Sequence, residues 1–372
     1  GLLGFYNLIS GGALSKFSIF ALSVSPYINA SIIVQLLTIA IPSLEQLSKE
    51  GEEGRKKIQS ITRYVSIGIA CVLALGVYST IANLGATSGV GTLEKIVVIF
   101  SLVVGSTFCM WLGDQITQKG FGNGVSILIF VNIVSQIPST VNSVYTLKTA
   151  GEISIIEILL FLVGVIALLA VTIFFSLAER RVPIQYAGKA VGSKVMKGQS
   201  THIPLSIIGS AVIAIIFAMS VMMFPTTIAA FFPSKGWASW ITSSKYSIFN
   251  TGTWMYPVCY AVLTVFFTWF YTQITFKPDE MAENLHKSAG FVPGIRPGEA
   301  TEKYFEKLLT KVSIIGGLFA AFLAVTPILV GKYISGVQFG GTSLLILIGV
   351  ALDFSRQLDS QLVMRHYDGF LK

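Results

Sequence analysis

Residues Ser18 to Leu44 form a stretch long enough to cross a bilayer, yet polar side chains run down one side of it. About 20 mostly apolar residues span the hydrocarbon core, and Ser25, Asn29, Ser31 and Gln35 would go unsatisfied against lipid tails. They are expected to face an interior. The same helix sets Val24, Ile28 and Ile32 at four-residue spacing, a greasy stripe beside the polar one. A path closed by aliphatic side chains is what the two stripes suggest.

Of the 372 residues, 53% are hydrophobic and 12% charged, against roughly 25% charged in soluble domains. The chain therefore reads as an all-α polytopic membrane protein. Nine apolar spans are expected, centred near Ile32, Leu73, Val103, Ile129, Leu168, Ile215, Phe266, Phe319 and Ile346. The ninth is short and runs into an amphipathic, charged helix. The chain opens on Gly1 with no visible cleavable signal peptide, so an upstream span is expected before it.

A net charge of +8 raises the thought of nucleic acid, but its distribution argues otherwise. With alternate loops assigned to alternate sides, the segments 45–66, 113–124, 176–203, 277–311 and 355–372 hold 20 of the 26 Lys and Arg residues. That asymmetry puts those loops and the C-terminus in the cytoplasm, and the start of this chain outside. Cys71, Cys109 and Cys259 lie in apolar spans without metal-like spacing, as small core residues do.

Catalysis needs a constellation, and none is visible. His202, His286 and His366 fall in separate loops or the tail, with neither a His-Glu-x-x-His nor a Gly-x-Ser-x-Gly. Gly113-Asp114 resembles the Gly-Asp pair of membrane aspartyl proteases, but Trp111 stands where their other glycine belongs. No span carries a partner carboxylate. Gly120, Gly122 and Gly124 lack phosphate-loop spacing and read as a tight turn opening the next helix. No enzyme activity, cofactor or metal is expected. Ion-coupled carriers place charges at mid-membrane depth, whereas Glu94, Asp114, Glu157 and Asp353 fall within one or two turns of an interface. A gated passive conduit fits better, with a secondary transporter or a non-pore membrane insertase as the alternatives.

Several segments resemble one family. Ser10 to Leu37 is similar to the plug and second span of the SecY family of protein-conducting channels. The resemblance continues through Lys49 to Ile58, Gly120 to Phe130, Glu179 to Ala187, Gly290 to Gly298 and Gln361 to Leu371, in order along the chain. It implies ten spans in two five-span halves related by inverted pseudosymmetry. The halves would cover residues 13–150 and 151–372, hinged near Ser139 to Gly151, with a plug half-helix in 1–12. It implies a channel that passes unfolded secretory polypeptides and releases hydrophobic segments sideways into lipid, in the bacterial cytoplasmic (inner) membrane. SecE and SecG subunits, the SecA motor ATPase, the ribosome, signal peptides and nascent chains are the implied partners.

The physical logic is independent of the family. A moving chain presents every kind of side chain, so a conduit cannot hold it by specific hydrogen bonds. A ring of branched aliphatics makes a deformable seal that excludes ions by dewetting. By resemblance that ring falls on Val24, Ile28, Ile129, Ile133, Ile216 and Ile346, the plug face on Leu2, Leu3, Phe5, Leu8 and Ile9, and the lateral gate on Ser31, Gln35 and Ser220. Gly11-Gly12 would be the plug's flexible joint. The sixth span departs from the family pattern. Ile208 replaces a usual Asn, and Ala211-Val212-Ile213-Ala214 replaces Gly-Val-Ile-Pro, which removes a polar gate residue and a helix-kinking proline. The long loops 176–203 and 277–311 lack apolar periodicity and read as solvated, positively charged docking loops. Within them Arg180, Arg181 and Arg296 match motifs where the family meets SecA and the ribosome.

Overall fold

The computed structural model describes residues 10–14, 16–83, 91–120, 122–149, 151, 154–186, 190–191, 194–195, 200–209, 211–231, 235–250, 252–333 and 341–368. The expected plug face of Leu2, Leu3, Phe5, Leu8 and Ile9 lies outside the described residues.

Helix α1 spans Ser25–Ala40 with Pro26 in its first turn, where the missing N–H costs nothing. It ends at Ile41, whose extended backbone suits a residue before proline. Pro42 then opens α2, Pro42–Lys49, bent 102° from α1. The long helices α3 (Glu52–Asn83), α4 (Thr92–Lys119) and α5 (Gly124–Thr149) follow. The glycine turn expected between α4 and α5 is present: Gly122 has φ +74°, and Asn123 Oδ1 accepts from Val125 N at 3.0 Å. Helix α6, Ile155–Leu177, starts with a capping box. Ser154 Oγ accepts from Ile156 N, and the Glu157 carboxylate accepts from Ser154 N at 2.9 Å.

After α6 come strands β1 (Glu179–Tyr186), β2 (Ala190–Val191), β3 (Lys194–Val195) and β4 (Ser200–Ser206). Helices α7 (Ala211–Phe231), α8 (Gly236–Ser243), α9 (Met255–Phe276) and α10 (Pro278–Lys287) precede β5 (Gly290–Phe291). Helices α11 (Glu299–Tyr333) and α12 (Gly341–Asp368) complete the described elements. Among the described residues seven helices are long and apolar enough to cross a membrane, and an eighth if the bent α1–α2 pair is one span. The ninth expected stretch is the start of α12, whose Leu344, Leu345, Ile346 and Ile348 are buried.

The largest core joins α7, α9, α11 and α12. Ala211, Ala218, Ala320 and Ala324 are buried there beside Met222, Tyr260, Phe319 and Leu323. Small side chains let membrane helices approach closely, where dispersion replaces the hydrophobic drive. Gly317 marks the close approach of α9 and α11, since a Cβ there would stand 3.1 Å from the Val265 Cα. Phe175 of α6 stacks on Phe319 at 4.0 Å. The threonines of α9 are satisfied internally: Thr264, Thr268 and Thr272 each donate to the carbonyl four residues back, at 2.7–2.8 Å.

The two long loops are more ordered than their composition suggests. Strands β4, β1 and β5 form an antiparallel three-stranded sheet in that order, with Arg181 opposite Pro204 and Gln185 opposite Phe291. On β1, Val182 and Ile184 are buried while Arg181, Pro183 and Gln185 are exposed, the alternation of a one-sided strand. Val182, Ile184 and Leu205 pack with Ala282 and Leu285 of α10 and with Phe305 and Leu309 of α11, a core of its own. Charge and proline hid a period of two.

Candidate pore, gate and docking face

The central site forms where α1, α5, α7 and α12 converge. Val24, at the start of α1, Ile129 and Ile133 of α5 and Ile346 of α12 are buried together, and Ile28 and Ile216 pack against them. All six residues named from the sequence thus meet in one cluster. None carries a polar atom on its side chain, so the contact has shape but no hydrogen-bond partner to exchange. Cys109 of α4 and Val125 of α5 line its edge.

Two features flank this cluster. On one side α1 meets α7: Ile32, Ala214 and Tyr271 are buried with Ile28, Ile216 and Phe217 around them. Phe217 meets Phe267 of α9 edge-on at 4.3 Å. Where the family pattern has proline, Ala214 puts a fully buried methyl into this seam, and α7 keeps a different proline, Pro225. Ile208, in place of the usual Asn, is buried in the α7–α9–α11–α12 core.

The seam's polar link is Ser220, as named from the sequence, but its partner is Asn29. The Ser220 hydroxyl lies 2.9 Å from Asn29 Oδ1 and 2.9 Å from the carbonyl of Ile216 in its own helix. One proton serves both acceptors, so separating the helices leaves Ser220 satisfied. Ser31 is half-buried and Gln35 exposed on the same helix. Next to this link a groove of about 790 Å³ opens, lined by Asn29 and Ile33 of α1, Ile69 and Leu73 of α3, and Ser220 and Phe224 of α7.

The second feature is an ion pair between α3 and α4 that the sequence reading missed. Asp114 of α4 is 7% exposed, its Oδ2 2.9 Å from Arg63 Nη2 of α3, and its Oδ1 accepts from Gln59 Nε2 at 3.2 Å. Arg63 and Gln59 share a face of α3 at four-residue spacing, and that repeat was the available signal. The carboxylate is neutralised and hydrogen-bonded in place, so it serves helix packing rather than a proton relay.

Arg180, Arg181 and Arg296 do not converge on the membrane interior. The first two are exposed neighbours on β1 and so point to opposite faces of the strand. Arg296 is exposed in the turn after β5, where its carbonyl accepts from Thr301 Oγ1 at 2.8 Å. The sheet joins their two loops.

The architecture defines a polytopic helical membrane channel whose spans converge on an aliphatic contact. The SecY family model matches residues 18–355, and the chain belongs to the SecY family. It is 41% identical over 379 residues to the protein translocase subunit SecY of Rickettsia typhi, covering 100% of this chain and 87% of that one. Against the Escherichia coli K12 subunit it is 40% identical over 377 residues, with 100% and 85% covered. A solved structure described as a protein conducting channel shares the fold at TM-score 0.68 and 18% identity, over 96% of this chain and 85% of the other. Sec61 in a canine ribosome–channel complex matches at TM-score 0.62 and 18% identity, with the same coverage.

Proposed function

We infer that the chain is the channel subunit of a protein translocase, conducting unfolded polypeptides across a membrane and releasing apolar segments sideways into lipid. The observation that carries this is the meeting of Val24, Ile28, Ile129, Ile133, Ile216 and Ile346, from four helical elements, in one aliphatic cluster. Such a cluster seals by excluding water and opens without breaking any hydrogen bond. The α1–α7 seam is the lateral exit: its one polar link is worth about 0.6 to 2 kcal/mol, and the groove beside it suits an apolar helical segment. Ser31 and Gln35 line that exit as it parts. Residues Leu2 to Ile9 act as the plug on the joint at Gly11 and Gly12.

The positive loops lie in the cytoplasm with the C-terminus, and the membrane is the bacterial inner membrane. Arg180, Arg181 and Arg296, on two loops joined by one sheet, serve docking of a SecA-type motor or a ribosome, their guanidinium forks suited to carboxylate and phosphate. Energy comes from that partner. Small SecE- and SecG-type subunits complete the complex, and the halves 13–150 and 151–372 move about the segment 139–151.

Replacing Ile28, Ile129 and Ile346 by Ser tests the seal. Resting ion conductance in planar bilayers rises while membrane insertion is kept. Unchanged conductance in a correctly assembled variant rules the reading out.

A further inference from the structure

Helix α5 bears a second row of residues beside its aliphatic ones. Asn132, Ser135 and Gln136 follow the helical spacing of three and four, bordering Ile129 and Ile133. Polar side chains in a membrane helix are expensive unless they are matched. Ser135 donates to the Asn132 carbonyl of its own helix at 2.8 Å, and Asn132 is matched by the segment leading into α1. Asn132 Nδ2 donates to the Ser23 hydroxyl at 3.1 Å, and Ser23 is buried at a φ of +48°.

The glycine joint lies on the same row. Gly11 and Gly12 hold φ values of +65° and +84°. A Cβ on Gly11 would stand 3.0 Å from Ser135 Oγ and 3.3 Å from Asn132 Oδ1, and one on Gly12 would stand 2.8 Å from Gln136 Nε2. The positive φ at both positions favours glycine. The joint therefore rests on the polar row rather than on the aliphatic ring.

We propose that Asn132 and Gln136 form a polar catch that holds Gly11, Gly12 and Ser23 against α5, and so set how strong a signal segment must be to open the channel. The inference rests on the channel reading above. These are positioning residues: they act through the segment they hold, and they bias a closed–open equilibrium by binding one of its two states.

Ser23→Ala and Asn132→Ala, singly and together, test the catch in the assembled translocase. Two readouts are resting conductance in planar bilayers and translocation of a reporter with a weakened signal segment. Each single variant raises both about three-fold, the factor that one average membrane hydrogen bond supplies. The double variant rises no further than either, because both remove one shared bond. Ser23→Gly, which suits the positive φ, removes the same hydroxyl without burdening the fold. Val131→Ala, exposed on the same helix, leaves both readouts unchanged. Wild-type readouts or additive effects overturn the catch, while a conductance rise in the Ile28, Ile129 and Ile346 serine variant leaves the channel reading standing. If that variant is also silent, the channel reading falls and the catch falls with it.

Discussion

The contact of α9 with α11 and that of α1 with α7 are both helix pairs in one membrane protein, yet they are built on opposite rules. The first is sealed by alanines and glycine at backbone-contact distance, with the threonines of α9 bonded internally. The second holds a groove of about 790 Å³, aromatic edges, and one shared hydroxyl proton. Dense small-residue packing has many weak contacts that must all break together, whereas the α1–α7 seam can part and leave its serine bonded to Ile216. Moving elements come from the least stable contacts of a structure. The difference separates what holds the protein together from what opens.

The division breaks most visibly at Arg63. Arg63→Ala strands a buried carboxylate, a loss of about 3 to 5 kcal/mol, read as a lower melting temperature of the purified protein. A paired Arg63→Met, Asp114→Leu variant recovers most of it, since no lone charge remains. Next is Gly317→Val, which drives a branched side chain against the Val265 backbone and costs about 1 to 3 kcal/mol, measured in the same way.

Smaller effects belong to the seam. Asn29→Ala and Ser220→Ala each weaken closure by about 0.6 to 1.7 kcal/mol. They leave melting nearly unchanged but relax signal-segment selectivity, and a double-mutant cycle reports their coupling. Losses of stability as large as that of Arg63→Ala would end the distinction between held and separable contacts. Smallest of all is Tyr271→Phe. Its hydroxyl is buried in the seam with no hydrogen-bond partner among the described residues, so removal tightens closure by about 1 kcal/mol or less. Slower release of transmembrane segments into lipid is the readout.

Much of this was legible in the chain. The six aliphatics were placed by resemblance, and their spacing on α1 and α5 already set Val24 with Ile28 and Ile129 with Ile133 on common faces. Ser220 was named, but Asn29 could not be matched to it, because the bond spans 191 positions and helix order alone does not pair residues. Asp114 was placed near an interface by its position along the span, and its partner on α3 is a tertiary fact. The sheet was missed because Arg180, Arg181, Pro183 and Pro204 dominate the composition of strands whose only apolar signal is Val182, Ile184, Ile203 and Leu205.

Helix α11 runs unbroken for 35 residues, about 52 Å at the usual rise, against a hydrocarbon core of about 30 Å. Near its start Phe305 and Leu309 sit in the core beneath the sheet, and further along Phe319, Ala320, Leu323 and Ala324 sit in the core of α7, α9 and α12. A rod clamped at two places transmits torque. One helix belongs to both cores, and α7 shares the second of them. One edge of the α1–α7 seam is thereby linked to the sheet through a single helix, unbroken between the two cores.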